Sequence, residues 1–342
     1  MPDQTFAIPA TSAGHVELMG RIEKGTGDRL DIPEGTINIG GNGLGYILEA
    51  VTDWDPVDSD NHDGSVDSLD LGDDVYIYAV QPSDSAAIAD VIASKNSTFP
   101  TGYDEGNSRK IGGFHYGRVR ADSERFDSTI TLPIQIIPNS VWDLTHRPKC
   151  DPTGMVEVIP GALWSDIYLA SEDGASWPET MPLSRYDVTP LTGSEGYSRL
   201  DYARLARNAG KRLPSYQEFM VFAYGVPQGA TDAGDRVNTG QHNDYGFDCV
   251  SSLNVDQPSG NIWQQTSQYH DRSTDTTWND DLNTGKDSAN DHGQWRGGEF
   301  RTSLVGGRWG HGAEAGSRCV LLDSSPWSES ATTGFRAVCD SL

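Results

Sequence analysis

Two kinds of residue in this chain could carry chemistry: carboxylates crowded into one loop, and thiols. Nine aspartates fall between Asp53 and Asp74, densest in the run Asp58-Ser59-Asp60-Asn61-His62-Asp63-Gly64-Ser65-Val66-Asp67. A calcium loop needs oxygen ligands at alternating positions and a glycine for its sharp turn. Asp58, Asp60, Asp63 and Asp67 are the metal-ligand candidates, with Asp63-Gly64 as the turn. The register is off by one, because counting back from Gly64 puts Ser59 in the first ligand position. A solvated acidic loop is the competing reading. The four cysteines are Cys150, Cys249, Cys319 and Cys339, and none forms a Cys-x-x-Cys pair. That excludes a zinc ribbon or a thioredoxin-type motif. Buried free thiols are the favoured expectation, and a disulfide is the alternative, whose pairing spacing does not give.

The elements that must position these groups belong to a chain of 342 residues, long enough for two or three domains and a real core. Nine Trp and thirteen Tyr argue for a globular chain, and 38 Gly for one rich in loops. A formal charge of −25 repels phosphate, so nucleic acid is not an expected partner. No run is apolar and long enough to insert in a membrane. The first residues show neither a basic nor an apolar leader region, so no signal peptide is expected.

Residues 1–135 read as a β-rich acidic domain for display or assembly. Short alternating stretches at His15–Leu18, Thr36–Ile39, Tyr46–Leu48 and Val75–Tyr78 are separated by Gly and Pro turns, as in a sandwich or small barrel. Ile88, Val91 and Ile92 predict a helix over Ser83–Lys95, capped by Ser or Asp at its start. Ile111–Arg120 predicts a strand in which His115 is structural, with no second His or Cys close in sequence. The boundary is expected in Leu132–Asn139, where two prolines bracket an apolar run.

Residues 136–342 read as one domain. Val156–Ile159 and Trp164–Leu169 alternate like strands. Ser198 caps a helix ending at Gly210, and Ser215-x-x-Glu218 is a capping box opening a second one, stopped by Gly225 and Pro227. From Gly229 to Gly298 the chain turns polar and irregular, anchored by Trp263, Trp278 and Trp295. Helices followed by loops and short terminal strands make an α+β class.

Several ordered motifs then carry a resemblance. Gly210-Lys211-Arg212-Leu213-Pro214-Ser215 resembles the GKRLPT element of the formylglycine-generating-enzyme fold, a variant of the C-type lectin fold. Gly260-Asn261-Ile262-Trp263 resembles its GNVWEW element, with Gln264 and Gln265 in place of Glu and Trp. Gly306-Gly307-x-Trp309, Ala315-Gly316-Ser317-Arg318, Ser325-Pro326-Trp327 and Gly334-Phe335-Arg336 resemble its C-terminal elements. The likeness covers residues 150–342. The oxidases of this fold use two cysteines five residues apart to bind copper. Cys319 matches one, and Glu314 stands at the other. One thiolate cannot make the bis-thiolate site that Cu(I) requires, so no catalytic residue is assigned.

The C-terminus is similar to the other branch of this fold, the variable proteins of diversity-generating retroelements, which include phage tail-fibre tropism determinants. The resemblance implies a variable region at about 303–342, rewritten by an error-prone reverse transcriptase, that binds a host or target-cell surface macromolecule, protein or glycan. Carried over position by position, the variable ligand-binding residues are Arg308, Gly310, Gly312, Glu314, Leu321, Asp323, Ser324, Ser328, Ser330, Thr332, Thr333 and Ala337. Glu314 departs from the residues that the favoured template codon yields, and His311 is its substitute. The implied scaffold is Trp309, Arg318, Trp327, Phe335 and Arg336. Positions 308–314 and 328–332 also alternate, which on extended backbone sends one set outward. The implied location is a virion tail, with homo-oligomeric display. No cofactor is assigned beyond calcium at the acidic loop. The rival readings are a formylglycine-generating-type oxidase, disfavoured by Glu314, and a calcium-dependent lectin, which lacks the Glu-Pro-Asn sugar motif.

Overall fold

Short β-branched and aromatic runs cut by glycine and proline turns fold as short strands, and the described residues are mostly β with two α-helices among them. A computed structural model describes residues 8–9, 12–41, 44–83 and 87–342. The chain divides into two compact units. The first holds residues 1–117 and 134–147 together with Leu342, and the second holds residues 118–133 and 148–341. The chain therefore crosses at Gly117, returns at Ile134 and leaves again at Pro148, where a single boundary near 136 was expected.

The first unit contains three sheets. Val16–Leu18, Gly35–Asn38, Leu44–Leu48 and Ile8–Pro9 form one, and Glu23–Lys24, Leu30–Ile32 and Val51–Trp54 another. The third runs Ile134–Ile136, Ser108–Arg118, Asp74–Val80, Asp90–Ser94, with Trp142–Asp143 also on Ser108–Arg118. Ile22, Leu30, Ile37, Leu48, Ile77, Ile111 and Phe114 belong to one buried cluster beneath these strands. His115 is buried as expected of a structural residue, its Nδ1 lying 2.8 Å from Asp74. The helix expected over Ser83–Lys95 is instead a strand at Asp90–Ser94, paired antiparallel with Asp74–Val80. Val91 and Ile92 are β-branched, and Ile92, Ala93 and Ser94 are buried in succession, as in a strand covered on both faces. Part of the expected cap, residues 84–86, lies outside the described residues.

In the second unit α1 is Arg199–Asn208 and α2 is Tyr216–Phe222. Ser198 and Asp201 form a capping box on α1, and Ser215 and Glu218 on α2, as the spacing predicts. Gly210 takes φ +70 just past α1, a conformation that favours glycine. The next residues do three separate jobs. Lys211 is buried and pairs with Asp166 at 2.5 Å. Arg212 exchanges backbone hydrogen bonds with Val338 and grips Glu218 and Asp340 with its guanidinium. Leu213 enters the core cluster of Leu205, Phe335 and Ala337.

The main sheet of this unit has the order Val320–Ser324, Phe300–Val305, Trp263–Asp271, Thr333–Gly334, the last pair parallel. A second sheet sets Leu163–Asp166 between Met155–Ile159 and Val338–Asp340. The irregular run expected from Gly229 to Gly298 thus contains a central strand, Trp263–Asp271. Its first residues include Gln264, Gln265 and Thr266, polar yet buried, so the apolar alternation that marks a strand is missing. Replacing Lys211 with methionine strands the buried Asp166 carboxylate. Urea unfolding should show a loss of about 3–5 kcal/mol, far beyond a surface lysine change.

Candidate ligand-binding surface

Beneath the terminal segment lies a buried arginine. Arg336 is fully buried, and its guanidinium donates to the carbonyls of Asp166 at 2.9 Å, Asp256 at 2.6 Å, Gln257 at 3.2 Å and Ile167. Its Nε also donates to Gln264 Oε1 at 3.3 Å. Burial pulls its pKa down to about 10, against the nearby Asp166 and Asp256 carboxylates. Gln264, where the resemblance has Glu, donates from Nε2 to the Pro258 carbonyl at 2.8 Å, which a carboxylate could not do. Asp256 in turn meets His242 Nε2 at 2.7 Å, and Asp248 meets its Nδ1 at 3.3 Å. Burial opposes charge on His242, but these carboxylates outweigh it and raise its pKa.

Residues 306–319 form a loop closed by its backbone. Gly306 N–H donates to Cys319 O, and Gly316 N–H to Gly306 O. Arg308 bridges to Asn261, whose carbonyl accepts from Trp309 N–H at 3.0 Å. Trp309 O accepts from Asp232 N–H, Ala315 O from Gly229 N–H, and Ala313 O from the Gln228 side chain. His311 packs edge-on against Trp263, ring centroids 5.0 Å apart. Gly307 has φ +82, and a Cβ there would lie 2.8 Å from that of Ala315. The loop backbone is fixed while Gly310, Gly312, Ala313, Glu314 and Arg318 are exposed.

The chain continues as the edge strand Val320–Ser324. Pairing shifts between Leu304↔Leu321 and Thr302↔Ser324, so one extra residue bulges out. Leu322 and Asp323 are both exposed as a result. Trp327 then stacks on Trp295 at 5.6 Å and faces Phe300 at 6.3 Å. Glu329 Oε1 accepts from Gly285 N–H and the Thr284 hydroxyl. Ser330 and Thr332 share a hydroxyl contact of 2.9 Å, and Thr332 O accepts from Trp263 N–H.

Of the twelve residues expected to vary, Gly310, Gly312, Glu314 and Asp323 are exposed, while Arg308, Leu321, Ser324, Ser328, Ser330 and Thr332 are half-buried. Thr333 and Ala337 correct the expectation. Thr333 is 4 % exposed in its strand, and Ala337 is 0 % exposed beside Phe335 and Leu205. The alternation argument also fails locally. Residues 312–314 are a 3-10 turn and Thr333 N–H closes a turn on Ser330, so 308–314 and 328–332 are not extended. Ala313, Leu322, Glu329 and Ala331 are exposed instead. The doubled Leu321-Leu322 was the one sequence signal for a bulge. Among the scaffold residues, Phe335 and Arg336 are buried and Trp309 and Trp327 half-buried, but Arg318 is exposed; only its carbonyl, accepting from Tyr216 Oη at 2.9 Å, serves the frame.

Arg318 and Glu314 line a cleft of about 600 Å³ with Phe126, Val226, Gln228 and Cys319. Burial and the Glu314 carboxylate raise the Cys319 pKa, keeping it a thiol. A lone protonated thiol facing a carboxylate does not fit copper. The acidic-loop carboxylates bond within the protein. Asp63 points inward, accepting from Ser65, Ser94, Asn96 and Thr101. Burial works against its charge, yet those bonds hold its carboxyl well below the usual range. Asp58 accepts from Asp60 N–H, and Asp67 lies 3.8 Å from His62. Among the described residues no three His, Cys, Asp or Glu side chains form a metal-holding group.

Known proteins share this arrangement. The family described as Mtd second domain matches residues 22–143. The tail fiber receptor-binding protein of Bordetella phage BPP-1 is 30% identical over 294 residues, covering 78% of this chain and 71% of that protein. The chain belongs to the family of the major tropism determinants. Among solved tropism determinants, the P3c variant is 26% identical with a TM-score of 0.74, and the I1 variant 26% identical with 0.73. Each match covers 99% of this chain and 86% of that one. The tropism-determinant fold is mostly β and C-type-lectin-like, and this chain shares it. The frame beneath its terminal segment also predicts a pH effect. His242 has a raised folded pKa, so its stabilisation is complete below the unfolded value of about 6.5 and is lost as pH rises through the folded value. Thermal melts of the wild type should lose more stability as pH rises above about 6.5 than those of His242→Asn.

Proposed function

We propose that this protein is a phage receptor-binding protein carried on the virion tail, whose terminal segment is the ligand surface diversified by a retroelement. It binds a host or target-cell surface macromolecule, protein or glycan. The observation that carries this reading is the loop 306–319, whose backbone is held by other parts of its unit while positions Gly310, Gly312 and Glu314 are exposed. Kinship with a tail fiber receptor-binding protein supports the same reading. The variable set is Arg308, Gly310, Gly312, Glu314, Leu321, Asp323, Ser324, Ser328, Ser330 and Thr332. The GKRLPS and GNIW elements support the formylglycine-generating-type variant of the lectin fold, used here for binding rather than catalysis. The lone Cys319 thiol gives no support to an oxidase.

The displayed set is small and poor in aromatics, whereas strong binding centres are rich in Trp, Tyr and Arg. Each site therefore binds modestly, and display of several copies on a homo-oligomer raises the avidity. The test is adsorption of purified protein to host cells. Alanine at Arg308, Glu314, Leu321 and Asp323 together should weaken binding by about tenfold or more, equivalent to about 1.4 kcal/mol, with the melting temperature unchanged. Undiminished binding by a folded quadruple variant would move the ligand surface elsewhere.

A further inference from the structure

Two buried thiols lie outside the ligand surface. Cys339 sits in the strand Val338–Asp340, and Cys150 lies just after the bridge that pairs Pro148 with Ser341 antiparallel. Lys149 N–H donates to Asp340 O at 3.0 Å, and the chain then bends through Cys150 beside Cys339. Facing Cα atoms of neighbouring antiparallel strands lie about 4.5–5.5 Å apart, within the roughly 4.4–6.8 Å that a disulfide spans. Cys150 N–H donates to Cys339 Sγ at 3.3 Å, and the two thiols hydrogen-bond to each other. The remaining cysteines are placed differently. Cys249 is buried against the Ser259 carbonyl, and Cys319 lines the surface cleft.

We infer that Cys150 and Cys339 are a disulfide site, a covalent staple between the first residues of residues 148–341 and the last strand of the terminal segment. The surroundings prepare the two sulfurs unequally. The Cys150 thiol lowers the Cys339 pKa to about 6 against the effect of burial, helped by the N–H groups of Cys150 and Lys149 and by the Lys211 ammonium. The same hydrogen bond, with burial, pushes Cys150 up. Cys339 is thus the nucleophile and Cys150 the resolving thiol. The flanking Lys149, Asp151 and Asp340 are exposed, so the pair sits near the surface.

The oxidant is a small-molecule disulfide such as oxidised glutathione. The Cys339 thiolate attacks one glutathione sulfur, the glutathione S–S bond breaks, and one glutathione thiolate leaves. Cys150 then gives up its proton to that thiolate and attacks Cys339 Sγ. The mixed disulfide breaks, the Cys150–Cys339 bond forms, and the second glutathione leaves. Two protein thiols are oxidised by two electrons, and one glutathione disulfide is reduced to two thiols.

The test uses the full-length protein, purified reduced and then held in oxidised glutathione. Free thiols counted after denaturation should fall from the four of the reduced chain to two. Peptide mass mapping should join the Cys150 peptide to the Cys339 peptide, dithiothreitol should restore both thiols, and the oxidised form should melt several degrees higher. Cys319→Ser should give the same link, and Cys150→Ser should trap glutathione on Cys339. Four thiols persisting in the wild type, a link through Cys319, or a stable glutathione adduct on wild-type Cys339 overturns the inference.

Discussion

The guanidinium of Arg336 is the interaction on which the ligand-binding unit depends. An arginine cannot shed its charge when buried, so its donors must all find acceptors. Here they are carbonyls at 166–167 and 256–257 and the Gln264 side chain. These acceptors come from three separate stretches of chain, and one buried cation draws them to a single point. Asp166 and Asp256 extend that point outward, one to Lys211 and the other to His242. Removing any member leaves a charge in a region of low dielectric, which is why the motif residues surrounding it hang together as a set.

Such a centre suits a protein whose surface must change. The loop at 306–319 takes almost none of its order from its own outward side chains. Its carbonyls and N–H groups are tied to Asn261, Asp232, Gly229 and Gln228, and its return is made possible by glycine at 306 and 307, both at positive φ. A substitution at Gly310 or Glu314 removes none of these hydrogen bonds. Recognition and stability are thereby separated in space, the arrangement expected where a rigid scaffold carries replaceable contacts.

Much of this was legible in the sequence, for identifiable reasons. Capping boxes at Ser198 and Ser215 and the left-handed Gly210 are local signals, and the helices followed them. The GKRLPS, GNIW and G-F-R motifs mark buried polar side chains, which are costly to place and so carry much information about the fold. What failed was argument from period. Ile88, Val91 and Ile92 suit a helix or a strand equally over so short a run, and the pairing with Asp74–Val80 decided the matter. The strand Trp263–Asp271 was hidden because its buried positions are Gln and Thr, satisfied by partners remote in sequence. Thr333 and Ala337 were carried over by position from the resemblance, yet both fill tight core sites, which position in a motif does not reveal. In the acidic loop, Asp63 spends its lone pairs on Ser65, Ser94, Asn96 and Thr101, three of them well beyond the loop itself and invisible to spacing.

The two halves of the terminal segment are held by different means, with consequences for which positions tolerate change. Residues 306–319 are fixed mostly by backbone bonds, with glycine required at 306 and 307. Residues 325–333 have backbone bonds at Pro326, Ser330 and Thr332, but side chains add to their hold: Trp327 on Trp295, Glu329 on Gly285 and Thr284, Ser330 on Thr332. There a new side chain exchanges a stabilising contact for a binding one. Diversity is therefore cheapest at Gly310 and Glu314 and at the bulge of the edge strand, where Leu322 and Asp323 project together, whereas Gly312 at φ +49 favours glycine. Those two patches belong to adjoining stretches of one chain, joined at Cys319 and the surface cleft. A ligand reading both would meet an apolar group at Leu322 and charges at Glu314, Arg318 and Asp323, a chemistry open to wide alteration without disturbing the buried arginine.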